Sequence, residues 1–183
     1  MRTEKANVII EMQEELFRKQ GEGWFRIVSG SMRPLIDAQD RVLAKHMEAD
    51  EVEPGDIILF KNSHVLVTHR VIRILRRNGK TMILQRGDAG GSASTVAPES
   101  VMGKVVAVEK DGRLLRLDCG WARVVNAFLG FQNCCSYGLH LRIAAIRGRL
   151  GDKPGFQYLR NLYRILRKPF AFLNRAIART LLT

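Results

Sequence analysis

The feature that most limits the fold is a series of short apolar runs separated by two-residue turn signals. Pro54-Gly55, Asn78-Gly79 and Asp111-Gly112 each stand next to a segment rich in β-branched residues. Such dipeptides favour tight turns, and Asn-Gly is a particularly strong signal for a β-hairpin. Strands are predicted at Trp24–Val28, Arg41–Lys45, Asp56–Lys61, Val65–Leu75, Thr81–Arg86, Val101–Glu109 and Leu114–Asp118. Short strands at even spacing predict a mainly β fold, a barrel or a folded sheet, over residues 21–118.

Helices are predicted on both sides of this β-rich domain. Residues 1–20 have the spacing of a short amphipathic helix, and its apolar stripe consists of Val8, Ile9, Met12, Leu16 and Phe17. Residues 119–183 are predicted to form a basic, amphipathic helical extension. Its first stretch runs from Trp121 to Leu150, a break follows at 151–155, and Pro169 is placed to open the last helix. The chain therefore divides into one β domain with helical appendages.

A serine and a histidine stand in positions that suggest chemistry. Ser31 lies in S-G-S-M-R-P at the end of a predicted strand, and His69 lies about forty residues later within the strand V-T-H-R-V. A serine hydroxyl attacks a carbonyl only when a base takes its proton and a donor stabilises the oxyanion. These two residues can supply nucleophile and base. Ser31 as a turn or capping residue, with a structural His69, is the competing interpretation.

The predicted hairpin offers a third member for this site. A two-residue loop at 78 and 79 places His69 opposite Asp88, and opposed residues hold their Cβ atoms about 5 Å apart. A Ser–His–Asp arrangement follows, provided that no β-bulge interrupts the pairing. Two alternatives stay open: a Ser–His dyad, and a turn aspartate whose side chain accepts hydrogen bonds from nearby backbone N–H groups.

The words S-G-S-M-R-P, T-H-R-V-I and R-G-D, in this order, resemble the signal peptidase family and its relatives, the self-cleaving SOS repressors. The resemblance spans roughly Phe25 to Val108. His69 stands where the bacterial branch has a lysine, so the chain is similar to the histidine branch. The resemblance implies the β-rich fold of that family, with Ser31 as nucleophile and His69 as base. It also implies an oxyanion and substrate-binding region formed by Ser29 and Met32, and no metal or other cofactor.

The chain departs from the histidine branch after Gly87-Asp88. Relatives usually continue with asparagines and further acidic residues, whereas this chain continues with small residues and has no carboxylate before Glu99. The first hypothesis is a serine endopeptidase that removes a leader from a protein or peptide. The alternative is a non-catalytic peptide-binding module that kept the fold. A self-cleaving regulator is disfavoured, since only about twenty residues precede the β domain where a DNA-binding domain would be expected.

The positive charge of the chain is concentrated near its C-terminus. The net charge is +12, and residues 121–183 contain eleven Lys or Arg and one acidic residue. A basic amphipathic segment can pack on the domain as a solvated helical hairpin, lie on an anionic membrane surface, or contact nucleic acid. Specific nucleic-acid binding is disfavoured because the segment carries no recognition motif. The first two interpretations stay open.

The sequence predicts neither a secretory signal nor a membrane-spanning helix. The N-terminal stretch is interrupted by glutamates, and Val124–Leu141 contains two glycines and several amides that are costly in lipid. Cys119, Cys134 and Cys135 form no disulfide framework, which is typical of a reducing compartment. No spacing of Cys and His predicts a metal site. The expected location is the cytoplasm, with peripheral attachment to the inner face of the membrane left open.

Overall fold

The fold is an antiparallel sheet that curls into a half-barrel, described in a computed structural model over residues 12–63, 65–77 and 79–150. Its strands are β1 Glu22–Arg26, β2 Arg41–His46, β3 Ile57–Asn62, β4 Val65–Arg77, β5 Lys80–Arg86, β6 Ser94–Val96, β7 Val101–Lys110 and β8 Arg113–Arg116. The order across the sheet is β1-β2-β7-β3-β4-β5-β6, and β8 pairs with β7. A 3₁₀ turn, Pro98–Ser100, precedes β7. The predicted mainly β class is confirmed, although three-residue β6 was not among the predicted strands.

Three irregularities in strand pairing explain the curl of the sheet. The extra residues are Val106 on β7 where it pairs with β2, Met102 on β7 where it pairs with β3, and Ile72 on β4 where it pairs with β5. An extra residue in one strand bends that strand and increases its twist. The bulges therefore turn what would be an open sheet into a half-barrel.

The bulge on β4 changes the partner of the candidate histidine. From Arg77 back to Arg73, β4 pairs with β5 in the predicted register, with Arg73 opposite Leu84. Beyond the extra residue Ile72, Val71 pairs with Gln85 and Arg70 pairs with Arg86. The predicted pairing of His69 with Asp88 is therefore wrong by one residue. The physical reason is a bulge that the hairpin signal alone does not indicate.

The N-terminal helix α1, residues 12–20, packs through one aromatic side chain. Phe17 is buried against Ala44, Leu59 and Met102, and its ring meets Phe25 edge-on at 5.5 Å between centroids. The other predicted stripe residues behave differently. Met12 and Leu16 are exposed, and Val8 and Ile9 lie outside the described residues. The amphipathic stripe predicted for this helix is therefore confirmed at Phe17 and wrong at Met12 and Leu16.

The C-terminal part of the described chain is one helix, α2, Gly120–Leu150. Its buried positions, Ala122, Val125, Leu129 and Asn133, recur every three or four residues and therefore form one face. This face closes a core cluster with Met32, Leu35, Ile36, Val42, Ile57, Val105, Val108 and Leu117. Within the described ranges, no helix is both long and apolar enough to cross a membrane. The predicted break at 151–155, the second helical stretch and Pro169 lie outside these ranges.

A buried arginine on β4 connects the sheet to α2. Arg70 is fully buried, and its guanidinium donates to both oxygens of Asp88, at 2.8 and 2.6 Å. A further nitrogen donates to the carbonyl of Gly55 at 2.7 Å and to Oδ1 of Asn126 on α2 at 2.8 Å. Asn133, one helical heptad later, donates to Asp88 at 2.8 Å. We call these side chains, Arg70, Asp88, Asn126 and Asn133, the Arg70 network.

The bulge on β4 also faces α2. The thiol of Cys134 donates to the carbonyl of Ile72 at 3.6 Å, so the extra residue of the strand has a partner on the helix. Burial raises the pKa of the Cys134 thiol, with smaller and opposing influences from neighbouring charges. This cysteine is accordingly a protonated hydrogen-bond donor at neutral pH and packs as an apolar side chain.

The Arg70 network predicts a large stability effect from one carboxylate. Asp88→Asn keeps the side-chain shape but leaves the buried guanidinium without its counter-charge, which costs about 3–5 kcal/mol of unfolding free energy. Asp118→Asn is the matched control, because Asp118 forms a similar bidentate pair with Arg116 on the surface and should change stability little. Urea unfolding of both variants measures the difference. Equal effects would contradict the structural role assigned to the network.

Candidate active site

The serine turn, residues 31–36, is fixed to the core by its apolar side chains. Met32, Leu35 and Ile36 are all buried in the cluster beneath α2. The N–H of Ile36 donates to the carbonyl of Met32 at 3.1 Å, which closes one helical turn. The side chain of Met32 is therefore out of reach of a substrate, and the predicted substrate-binding role of Met32 stays a prediction for its backbone alone. With 1% of its surface exposed, the side chain anchors the turn that presents Ser31.

The structure brings Ser31 and His69 together. Nε2 of His69 lies 3.2 Å from Oγ of Ser31, and both side chains are half-buried. His69 pairs with Ile58 on β3, and its ring lies 6.2 Å from that of Phe60 between centroids. A central strand and an aromatic neighbour thus hold the imidazole beside the serine turn. The distance is within reach of a hydrogen bond in which the hydroxyl donates to an unprotonated Nε2.

The second ring nitrogen of His69 faces a neutral amide. Its Nδ1 lies 2.5 Å from Oε1 of Gln85, and Nε2 of Gln85 donates to Oγ of Ser94 on β6 at 2.6 Å. Gln85 reaches this place because the bulge pairs it with Val71, which shares a strand face with His69. Only 4% of the Gln85 surface is exposed. Within the hydrogen-bonded chain Ser31–His69–Gln85–Ser94, the Gln85 amide is therefore shielded from solvent.

Asp88, the predicted triad acid, does not take this position. Both of its oxygens are engaged by the Arg70 network, and its side chain is 3% exposed. The turn alternative is also wrong, because these partners are side chains rather than the backbone N–H groups of Gly90-Gly91. One residue of β4, Arg70, points to Asp88, and the preceding residue, His69, points to Ser31, as expected for alternating strand faces.

This site can orient the imidazole of His69, but the orienting group, the Gln85 amide, carries no charge. An Nδ1–H that donates to Oε1 of Gln85 leaves the lone pair of Nε2 toward Ser31, which is the tautomer a general base needs. A carboxamide carries no net charge, so it gives the imidazolium a dipole rather than a counter-ion. Among the described residues, no group of three His, Cys, Asp or Glu side chains could hold a metal ion.

Ser29 stands on the exposed side of the nucleophile. Its Oγ lies 3.2 Å from Oγ of Ser31, within hydrogen-bond reach, and the role of Ser29 as an oxyanion donor stays a prediction. The carbonyl of Ser31 is held on the other side by the N–H of Ala89 at 2.9 Å. The loop that follows β5 therefore fixes the backbone of the nucleophile.

Gln85 and Ser94 are functional candidates that sequence reasoning missed. Nothing in the local pattern separates Gln85 from any polar residue near a strand end, and its role depends on the bulge at Ile72. The sequence contains a weak signal for the Arg70 network. An arginine inside the apolar strand T-H-R-V-I needs a buried partner, and Asn126 and Asn133 are seven residues apart, hence on one face of a helix.

Gly87 is predicted to be irreplaceable by alanine. A Cβ at this position would lie 2.5 Å from the carbonyl oxygen of Ser31, closer than non-bonded atoms approach, so Gly87→Ala must displace the serine turn. Gly138→Ala is the control, because a Cβ on that helical glycine meets nothing within 4 Å and alanine favours a helix. Thermal unfolding should show a lower midpoint for the first variant and an equal or higher one for the second. An unchanged midpoint for Gly87→Ala would refute the close approach.

Comparison with known proteins adds no relative to this description. No family model matches the chain, and a search of curated proteins returns no match. The resemblance to signal peptidases therefore rests on three short sequence motifs. Function must be argued from the arrangement of Ser31, His69 and Gln85.

Proposed function

We propose that the protein is a serine endopeptidase that cleaves a leader or precursor peptide. The observation that carries this proposal is the contact of Ser31 Oγ with His69 Nε2 at 3.2 Å, with the opposite ring nitrogen 2.5 Å from Gln85. Nucleophile, base and orienting group within hydrogen-bond reach are the signature of an activated serine. The site is half-buried on a curled sheet rather than hidden in the core, so a peptide can approach it.

The proposed reaction uses His69 twice. Nε2 takes the Ser31 proton while Oγ attacks the carbonyl carbon of the scissile bond, and the oxyanion accepts hydrogen bonds from the Ser31 N–H and the Ser29 hydroxyl. The imidazolium then gives its proton to the leaving amine, which leaves an ester on Ser31. Water, deprotonated by the same nitrogen, hydrolyses the ester and restores the hydroxyl. Gln85 holds the ring in place throughout.

The substrate best suited to this sheet is an extended peptide. β1 forms one edge of the strand order, and the chain runs from β1 into the turn that carries Ser31. A peptide that adds as a strand gains backbone hydrogen bonds, while shallow pockets select its side chains. The expected cleavage site is consequently a solvent-accessible, extended segment of a protein or peptide.

The alternative function is a peptide-binding module without turnover. It is favoured by one observation, the amide of Gln85 in the place where serine hydrolases commonly have a carboxylate. An uncharged partner stabilises the imidazolium less, so the same geometry could hold a peptide and cleave it slowly. Cytoplasmic location is proposed with either function, because Cys119, Cys134 and Cys135 are free thiols, as is usual in a reducing compartment.

Removal of the nucleophile or base should abolish turnover. Ser31→Ala and His69→Ala should each reduce cleavage of a proteome-derived peptide library by about a thousandfold or more, and the double variant should be no worse, because the two residues act as one unit. Ser29→Ala should lose less, about a hundredfold, as expected for one oxyanion donor. New N-termini are counted by mass spectrometry. Equal cleavage by wild type and Ser31→Ala would contradict the endopeptidase proposal.

A charge at position 85 should separate the two candidate functions. Gln85→Glu gives the imidazolium a counter-charge, so kcat/KM should rise about tenfold and the acidic limb of the pH–rate profile should move to higher pH. Ser94→Ala serves as the control, because it disturbs the far side of the amide without adding charge. If wild type is inert and Gln85→Glu cleaves, the binding module is the better description of the natural protein. A fall in kcat/KM with an unmoved pH profile would refute the orienting role.

A further inference from the structure

Helix α2 is apolar on a second face that no other described residue covers. Trp121, Val124, Phe128, Phe131, Cys135 and Leu139 follow heptad-like spacing, and at about 100° per residue they fall within one quarter of the circumference. We call this set the outer face of α2. Phe131 is 70% exposed and Trp121 is 64% exposed. Val124, Cys135 and Leu139 are exposed as well, and Phe128 is half-buried.

This exposure is unusual for side chains of this size. The buried positions of α2, such as Val125 and Leu129, already close the core, so the outer face has no part in the core cluster of the described residues. A contiguous apolar strip over five helical turns is typical of a surface that another body covers. A helix that is apolar on both faces is expected to be covered on both of them.

The charge on α2 restricts what that body can be. The helix contains four arginines and no acidic residue, and Arg142 is exposed within the angular range of the strip. A second copy would bring two positive helices together, and a nucleic-acid duplex keeps its base faces stacked inside, away from Phe131 and Trp121. A surface with negative charge outside and hydrocarbon beneath satisfies both requirements.

We propose that the outer face of α2 docks on the anionic surface of a lipid bilayer. The helix lies parallel to the membrane, the aromatic side chains enter the boundary between headgroups and acyl chains, and the arginines contact phosphate or carboxylate headgroups. The opposite face stays on the domain, where Asn133 holds the loop of Gly87 and Asp88. The candidate site is thereby kept about one helix diameter from the membrane surface.

The test measures co-sedimentation of the full-length protein with vesicles, independently of catalysis. Wild type should bind vesicles of phosphatidylcholine and phosphatidylglycerol, bind pure phosphatidylcholine much less, and dissociate as salt rises. Phe131→Asp should weaken binding to the mixed vesicles about tenfold or more. Val65→Asp is the matched control, since Val65 is 56% exposed on β4 and the substitution changes the net charge equally. Its binding should stay within about twofold of wild type.

Other occupants of the outer face give different results. If wild type ignores both kinds of vesicle, or if Phe131→Asp and Val65→Asp bind equally well, the proposal is overturned. Sedimentation velocity without lipid tests whether a second copy of the chain covers the outer face. A wild-type dimer that Phe131→Asp converts to a monomer would assign the face to a second copy, whereas a monomer in both variants accompanies the expected vesicle result.

Discussion

The ion pair of Arg70 and Asp88 holds three parts of the molecule in one arrangement. A guanidinium with no exposed surface requires a counter-charge and acceptors for its N–H groups. These come from the loop after β5, from Gly55 and from α2. Because Asp88 also accepts from Asn133, the loop cannot shift without disturbing the helix. The same loop fixes the carbonyl of Ser31 through Ala89.

The parts of the fold that depend on local chemistry could be predicted from the sequence. Turn dipeptides and β-branched runs indicated the strands, and the S-G-S-M and T-H-R-V words indicated Ser31 and His69 as neighbours. The partner of His69 could not be predicted, because one extra residue in β4 replaces Asp88 by Gln85 and only the packing of Ile72 against Cys134 reveals it. The burial of Met32 was missed for a similar reason, since a six-residue turn gives little periodicity from which to infer an inner face.

The polar residues of α2 illustrate how one observation can support two interpretations. In the sequence, the amides were evidence against a membrane-spanning helix, because amide side chains are costly in lipid. They are Asn126, Gln132 and Asn133. In the structure Asn126 and Asn133 are contacts to the Arg70 network. Gly130 has a related role, because a Cβ there would lie 3.3 Å from the Cα of Gly55. Small and amide side chains thus let the helix approach the sheet closely.

The amide at position 85 gives the hydrogen-bonded chain two directions. A hydroxyl can both donate and accept a hydrogen bond, and a neutral imidazole donates from one nitrogen and accepts at the other. A carboxamide exchanges its donor NH₂ and its acceptor oxygen by half a rotation. The chain Ser31–His69–Gln85–Ser94 can therefore run either way without moving a charge, whereas an acceptor-only carboxylate would permit one direction. If both directions had equal free energy, half of the molecules would hold the base-competent tautomer, at a cost of about 0.4 kcal/mol. The fraction of molecules with the base-competent tautomer then depends on the rotamer of the Gln85 amide. That rotamer is set by the group that binds the Ser94 hydroxyl at the edge of the sheet.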